Sequence, residues 1–428
     1  MPSFFFIFCP FYDRLKLLCK EVSMKRLLAV VLVALTLFSL TRCRQTPLEP
    51  VTPDQQVEPA PTVPQEPVLT PEEQAEQERL AAEQARTQRL QALLDSMTLE
   101  EKVGQLFFVR CPTENAVEDI STYHLGGYLL FSRDFKDGDN WLTKEQFLEK
   151  IQSYQDAAEI PLFIGSDEEG GTVTRASRNP NLFEEPFKSP QTLYNNGGLD
   201  AVISDAMTKN MGLRELGINV NFAPVCDVAA DPNSFIYDRT LGQNAEATAD
   251  YAARVVSAMS GAGVMSVLKH FPGYGDNEDT HTGIAVDQRP METFENSDLL
   301  PFQAGIDAGA PFVLVSHNIV TCMDPDLPAS LSPAVHRVLW ERCGFEGISI
   351  TDDLAMDAVQ AYAKDGAVAV MALQAGNDMI ITTDYRTQIP AVIAAVQDGT
   401  LDKNVIDNAC LRVLRCKDDY ALLDHIDS

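Results

Sequence analysis

The chain has 428 residues, of which 62 are acidic and 33 are basic, so its net charge is −29. Such a surface repels nucleic-acid phosphates and anionic lipid headgroups, and we exclude nucleic acid as a partner. Hydrophobic residues make up 45% of the chain and charged residues 22%, a composition typical of a globular protein that can bury a core.

A candidate export signal lies near the start of the sequence. Lys25 and Arg26 precede an apolar run over residues 27–40, and Cys43 follows shortly after it. A run of about fourteen residues is typical of a signal peptide and is short for a membrane span. The arrangement resembles a bacterial lipoprotein signal, in which the cysteine is lipidated, although Arg42 stands where a small residue is usual. We expect an exported chain held at the periplasmic or surface side of the cell envelope by lipid at Cys43. Secretion without lipid and an uncleaved anchor are the alternatives.

Composition divides the chain into four segments. Residues 1–43 hold an N-terminal extension and the signal, and residues 44–70, rich in Pro, Glu, Gln and Thr, predict a disordered linker because they cannot bury a core. Residues 71–92 are rich in Ala, Glu, Gln and Arg and predict a helical spacer. Residues 93–428 are left for one globular domain.

Eight short apolar runs alternate with helical patterns in this domain. Many are near-continuous in Val, Ile, Leu and Phe, as is typical of parallel strands covered on both faces. The predicted strands are Gln105–Arg110, Gly127–Phe131, Leu162–Ser166, Asn219–Val225, Met265–Lys269, Phe312–Ser316, Gly347–Thr351 and Asp378–Thr382. The predicted helices between them include Thr143–Ala157, Leu199–Leu216, Ala245–Ala262, Ser332–Cys343 and Ala358–Ala375. The alternation predicts an α/β fold of the TIM (β/α)₈ barrel type. A doubly wound open sheet is the alternative, but no GxGxxG follows the first strand.

Charged residues concentrate where the predicted strands end, which is where the active site of a TIM barrel forms. Asp167 follows the third strand, and Arg239 lies in the loop after the fourth. Lys269 and His270 end the fifth strand, and Asp352 follows the seventh. We therefore expect these side chains to share one pocket.

Two further patterns indicate acid–base and nucleophilic chemistry. In the loop KHFPGYGDNEDTHTG, Asp279 stands two residues before His281, and a carboxylate beside an imidazole can make that imidazole a general acid and base. An isolated pair of this kind is more often part of a polar surface loop. A carboxylate at a strand end, such as Asp352, can attack an anomeric carbon, or it can bind the first turn of the next helix, a role open to Asp353.

Several motifs in this order resemble glycoside hydrolase family 3, in its N-acetyl-β-glucosaminidase branch. They are SMTLEEKVGQLFFV, IGSDEEGGTVTR, NVNFAPVCDV with DRTLG, KHFPGYGD, GISITDDLAMDAV and ALQAGNDMII. KHFPGYGD and GISITDDLAMDAV are the most specific, and the resemblance covers roughly residues 93–418. The chain departs from the family at Tyr274, where a second His is common, and at Thr172, where Arg is common.

The resemblance implies a role for each matching residue. Asp352 would be the nucleophile that forms a covalent glycosyl-enzyme, His281 the general acid and base, and Asp279 its partner. The sugar hydroxyls would be held by Asp167, Arg175, Arg239, Lys269 and His270. The implied activity is that of a retaining exo-β-N-acetylglucosaminidase that acts on peptidoglycan fragments or related glycans. We expect a monomer that binds carbohydrate and needs no metal or cofactor.

Several alternatives stay open from the sequence. One is a family 3 glycosidase of other sugar specificity, such as a β-glucosidase, and another is a non-catalytic sugar-binding lipoprotein. Inorganic phosphate could replace water as the acceptor. A metal-dependent barrel hydrolase would use as ligands His270, Asp276, Asp279, His281 and His317, although their spacing matches no zinc signature.

Overall fold

The structure is a computed structural model that describes residues 70–229, 231–275, 285–360, 362 and 368–424. The chain divides into Met1–Thr70 and Pro71–Ser428, and the fold described here is that of the second unit. Some predictions lie outside the described residues: the signal peptide, the linker up to residue 69, Cys43, Asp276, Asp279 and His281.

Eight parallel strands form one sheet that curls into a nearly closed barrel. Strands β1 to β8 span Phe107–Arg110, Gly127–Leu130, Phe163–Ser166, Val220–Asn221, Met265–Phe271, Phe312–Val315, Ile348–Thr351 and Ile380–Thr382. Each strand pairs with the next as far as β7, and β1 also pairs with β8, with Phe107 opposite Ile380. A parallel bridge between Ile350 and Met379 joins β7 to β8. The predicted TIM barrel is confirmed. Seven of the predicted runs contain their strand, whereas β5 continues two residues beyond its predicted run, to Phe271.

Aromatic side chains fill the interior of the barrel. Phe108 stacks on Phe163 with ring centroids 6.1 Å apart and meets Phe222 edge-on at 5.3 Å, while Phe163 meets Phe312 at 5.4 Å. All four rings are buried. A Cβ atom at Gly165 would lie 2.7 Å from both Phe108 and Phe222, so only glycine leaves room for them. This interior is a packed core and not a channel.

Helices surround the barrel. Helices α1 to α12 span Pro71–Ser96, Leu99–Gln105, Ala116–Tyr123, Lys144–Asp156, Pro190–Glu215, Ala245–Gly261, Leu299–Asp307, Pro333–Arg337, Asp357–Gln360, Val368–Ala375, Tyr385–Gln397 and Lys403–Asp419. Thr98 and Thr143 begin α2 and α4 with capping boxes, which satisfy free backbone N–H groups at each helix start. Ser332 accepts hydrogen bonds from two N–H groups of α8, and Pro333 occupies its first turn.

Three helix predictions differ from the structure. The predicted helix Ser332–Cys343 is α-helical only over α8 and continues as a π-helix over Val338–Arg342. Helix α5 begins at Pro190, nine residues before the predicted start, because Ser189 caps it there; Gly197 and Gly198 interrupt it with non-helical backbone angles. Because glycines are unfavourable in helices, the sequence pattern predicted a helix only after this glycine pair and missed the part before it. The predicted helix Ala358–Ala375 corresponds to α9 and α10, and the residues between them lie largely outside the described ones.

The segment predicted to be helical does form a helix, α1, which continues to Ser96. Its last turns pack onto the barrel, since Leu90 and Leu94 are buried. The Arg86 side chain donates to Asp418 and Asp419, the last two residues of α12, at 2.6 Å in each case. Within the described part of the chain, no helix is both long and apolar enough to cross a membrane.

Candidate active site

A pocket of about 470 Å³ opens at the carboxyl ends of the strands. This is the end of a TIM barrel where active sites form. Every predicted site residue that the structure describes lines it, namely Asp167, Arg175, Arg239, Lys269, His270 and Asp352. The structure therefore brings together residues that are up to 185 positions apart in the sequence.

The turn after β3 presents Asp167 to the pocket. The Lys269 Nζ atom donates to Asp167 Oδ1 at 2.8 Å, and an Arg175 guanidinium nitrogen lies 3.8 Å from Oδ2. Glu168, next in the chain, points away and is fully buried; it accepts from the backbone N–H groups of Arg175 and Ala176 at 2.9 and 2.8 Å. Glu168 thus holds the turn that carries Arg175.

Glu169 is a site residue that sequence reasoning missed. Its buried carboxylate accepts two hydrogen bonds from Arg239, at 3.0 and 2.8 Å, and lies 2.6 Å from Lys269 Nζ. Burial alone would raise the pKa of Glu169, but the two cations outweigh burial and lower that pKa. The ionised Glu169 therefore fixes both cations at the pocket wall. The sequence signal that could have indicated Glu169 is its place as the third acidic residue in the run that follows β3.

Asp227, which follows β4, orients the imidazole of His270. It is buried and accepts from the His270 backbone N–H at 3.1 Å, from His270 Nδ1 at 2.7 Å and from the Tyr274 N–H at 2.8 Å. Arg239 lies 3.1 Å from His270 Nε2. A guanidinium can only donate, so Nε2 accepts and the ring proton sits on Nδ1. Sequence reasoning assigned no role to Asp227, although it follows a predicted strand as the other site residues do.

The two acids after β7 have different partners. The Asp352 N–H donates to the Val315 carbonyl at 3.1 Å, and its side chain, which faces the pocket, accepts from the Asp353 N–H at 2.8 Å. Asp353 accepts from the Ala355 N–H at 2.9 Å and from the Thr383 hydroxyl at 3.2 Å. Asp353 therefore stabilises the following turn, which leaves Asp352 as the candidate nucleophile.

Comparison with known proteins decides which family this site belongs to. The sequence profile of the glycosyl hydrolase family 3 N-terminal domain matches residues 98–416. The chain belongs to glycoside hydrolase family 3. Membership in family 3 confirms the predicted enzyme class, a glycoside hydrolase.

Relatives within family 3 agree with this assignment. A β-hexosaminidase of Xylella fastidiosa strain M12 is 33% identical over 261 residues, which cover 60% of this chain and 76% of that protein. The solved structure of a family 3 β-N-acetylglucosaminidase from Paenibacillus sp. FPU-7 is 30% identical, with a TM-score of 0.70, over 76% of this chain and 63% of that one. A β-N-acetylhexosaminidase from Beutenbergia cavernae is also 30% identical, with a TM-score of 0.66, over 75% of this chain and 99% of that one. The chain thus spans less than two thirds of the Paenibacillus protein.

The two positions that depart from the family pattern have structural partners. Tyr274 is buried, and its ring centroid lies 5.1 Å from that of His270 and 5.2 Å from that of Phe235. It therefore supports one side of the His270 ring. Thr172 is exposed, and its carbonyl accepts from Arg178 at 3.0 Å.

The described residues do not favour a metal centre in the family 3 pocket. Both ring nitrogens of His270 already have protein partners, and those of His317 contact the Ser330 hydroxyl at 2.8 Å and the Asp353 carbonyl at 3.1 Å. Among the described residues, one group of histidine and carboxylate side chains has its ligand atoms within 4.8 Å of one another. Its residues come shortly before β1, β2 and β3 in the chain, so the group lies at the opposite end of the barrel from the pocket. Its members are Glu101, His124 and Glu159.

Proposed function

We propose that this glycoside hydrolase is a retaining exo-β-N-acetylglucosaminidase that removes terminal, non-reducing, β-linked N-acetylglucosamine from peptidoglycan fragments or related glycans. The observation that carries the proposal is the position of Asp352 in a sugar-sized pocket that it shares with a fixed array of hydrogen-bond donors. The name of the Paenibacillus relative supports N-acetylglucosamine as the sugar, and the names of the Xylella and Beutenbergia relatives support a hexosamine.

The donor array suits the hydroxyl groups of one sugar ring. Arg239 and Lys269 donate only, and Glu169 holds both of them in place. Asp167 adds carboxylate acceptors on the same wall. Because these groups are already positioned before substrate enters, little reorganisation is needed when the transition state forms.

The proposed mechanism is a double displacement. The Asp352 carboxylate forms a bond to the anomeric carbon while the bond to the leaving oxygen breaks, and His281 transfers its proton to that oxygen. Water then gives a proton to His281 and attacks the same carbon, which releases Asp352. Two inversions give net retention. A histidine acid in place of the second carboxylate is unusual among glycosidases, and Asp279 would orient it.

Two variants test this mechanism. Asp352→Ala should abolish release of the leaving group from an aryl N-acetyl-β-glucosaminide, because no covalent intermediate can form. His281→Ala should cost about 10²–10⁴-fold on a natural disaccharide and much less on an activated aryl substrate, which needs little acid help. Steady-state kinetics measure both effects. Full activity of both variants on the disaccharide would exclude the mechanism.

Sugar specificity and acceptor need separate measurements. A panel of aryl β-glycosides distinguishes an N-acetylglucosaminidase from a family 3 enzyme of β-glucosidase type. Product analysis in phosphate buffer distinguishes hydrolysis from phosphorolysis, since the latter releases the sugar 1-phosphate.

We also propose that the protein is exported and held at the cell envelope by lipid on Cys43, and that it acts as a monomer. The signal-like sequence before Cys43 supports this location.

A further inference from the structure

Arg110 is a cation of the pocket for which neither the resemblance nor the mechanism provides a role. It ends β1, its side chain lines the pocket, and its guanidinium carbon lies 4.1 Å from the ring centroid of Phe131. Its Nε atom is buried and has no hydrogen-bond partner among the described residues. Buried polar atoms are normally hydrogen-bonded, so an unpaired donor in a binding pocket points to a ligand.

Arg175 shares the same aromatic ring. Its guanidinium carbon lies 5.4 Å from the Phe131 centroid, and its Nε atom is likewise buried without a hydrogen-bond partner in the described part of the chain. Phe131 therefore holds two guanidinium groups beside each other at one wall. Stacking on an aromatic face restrains a guanidinium while leaving its in-plane N–H groups available to a ligand.

The other cations of the pocket are already neutralised. Lys269 contacts Asp167 and Glu169 at 2.8 and 2.6 Å, and Arg239 binds Glu169 with two hydrogen bonds. Arg110, by contrast, has no carboxylate within 4.0 Å among the residues that the structure describes. The wall formed by Arg110, Phe131 and Arg175 thus presents one guanidinium, that of Arg110, without a carboxylate partner among the described residues, while Arg175 lies 3.8 Å from Asp167.

We propose that Arg110, together with Arg175, binds an anionic group of the substrate, namely a carboxylate, sulfate or phosphate. Planar guanidinium groups match such oxygen-rich anions by forming two parallel N–H···O bonds. The anion belongs either to a substituent of the terminal sugar or to the leaving group. This inference rests on the proposed function and names the substrate class within it.

The test compares charged and neutral substrates with the same protein. Wild type and Arg110→Met are assayed on p-nitrophenyl N-acetyl-β-glucosaminide and on its 6-O-sulfated form, which carries the anion on the terminal sugar. They are also assayed on N,N′-diacetylchitobiose and on N-acetylglucosaminyl-β-1,4-N-acetylmuramic acid, which carries a carboxylate on the leaving group. The readout is the ratio of kcat/KM for the charged substrate to kcat/KM for its neutral counterpart.

We expect Arg110→Met to lower one of these two ratios at least tenfold, and the affected pair identifies which part of the substrate bears the anion. Arg110→Lys, which keeps the charge but loses the planar fork, should lie between wild type and Arg110→Met. Arg254→Met is the matched control, because Arg254 is an exposed arginine of α6 outside the pocket, and it should keep both ratios.

Two results would overturn the inference. One is a pair of ratios within twofold of wild type in Arg110→Met, with the melting temperature showing that the variant is folded. The other is an equal fall in both ratios in the Arg254→Met control. Absence of wild-type turnover on the neutral glucosaminide would instead contradict the proposed function, and calorimetric binding of the sulfated sugar to both proteins would still test Arg110.

Discussion

At the scale of single residues, the site depends on buried carboxylates that do not face the substrate. Glu169 holds Arg239 and Lys269, and Asp227 holds His270. Each carboxylate accepts several hydrogen bonds, so it fixes the direction of the groups that do reach the pocket. Loss of such a partner leaves charged or polar groups unpaired in a buried place, which is costly.

Asp227→Asn should lower kcat/KM on an aryl N-acetyl-β-glucosaminide by about 10- to 100-fold, the equivalent of a charged hydrogen bond of roughly 1.5–3 kcal/mol. The reason is that an amide can donate to Nδ1, which would disturb the present tautomer of His270. Asp238→Asn makes the same chemical change at an exposed position in the same loop and should change kcat/KM less than about twofold. Equal rates for the two variants would remove Asp227 from the site.

At the scale of elements, α1 and α12 close the amino-terminal end of the barrel. α1 buries Leu90 and Leu94, and Arg86 and Arg89 of α1 both bind Asp418. Most of the stability of a helix in a protein comes from tertiary packing, so the buried leucines of α1 determine where it is held on the barrel. The first turns of α1 are exposed, as a spacer would be.

Leu90→Ala should lower the free energy of unfolding by about 2–5 kcal/mol, since it removes a buried side chain and leaves a cavity. Leu80→Ala is the matched control on the same helix, because Leu80 is 47% exposed, and it should cost less than about 0.5 kcal/mol. Urea denaturation of the soluble protein measures both. Equal losses would show that α1 does not pack on the barrel through Leu90.

Lys417 joins α12 to α2 in a fully buried place. Its Nζ atom donates to Gln105 Oε1 at 2.6 Å and lies 4.9 Å from the Phe163 ring centroid. Burial lowers the pKa of Lys417 from 10.5 to about 7. Between these values the unfolded chain binds more protons than the folded protein, so folding becomes more favourable as the pH rises.

The free energy of unfolding should therefore increase as the pH rises from 7 to 9, because of Lys417. Lys417→Met should make the free energy of unfolding depend less on pH over this range. Lys403→Met, at an exposed position of the same helix, should keep the wild-type slope. Denaturant titrations at pH 7, 8 and 9 give the three slopes. A slope in Lys417→Met equal to that of wild type would contradict the assignment.

At the scale of the whole molecule, the chain enters the barrel at one end, and the pocket opens at the opposite end. α1 and α2 lead into the amino end of β1, whereas the pocket lies at the carboxyl ends of the strands. The net charge of −29 opposes close approach to an anionic membrane surface, so a tether is a reasonable way to keep the enzyme near an envelope.

Cys43→Ser should abolish incorporation of labelled fatty acid into the full chain expressed in a bacterial host, because the acceptor thiol is lost. The variant should also move from the membrane fraction to the soluble fraction or remain an unprocessed precursor. Cys322→Ser, which removes another cysteine at an exposed position, should keep the label. Label retained in Cys43→Ser would contradict lipidation at this residue.

The sequence by itself determined the order of the strands and the end at which the site forms. Apolar runs and turn residues are local signals, and a charged residue at or near the carboxyl end of a strand, such as Asp167 or Lys269, places a polar side chain at the rim whatever the neighbouring strands are. The motifs that match the family then supplied the expected role of Asp352. These predictions needed no knowledge of which side chains touch.

Only the tertiary structure decided the partners of those residues. Glu169 and Asp227 became site residues because Arg239 and His270, far along the chain, fold against them. Asp352 and Asp353 differ in their partners from other strands, Val315 for the first and Thr383 for the second. The position of Arg110 on Phe131 likewise depends on a contact between the ends of β1 and β2. The physical reason is that burial and pairing are properties of the packed barrel, and a linear pattern of residue types does not contain them.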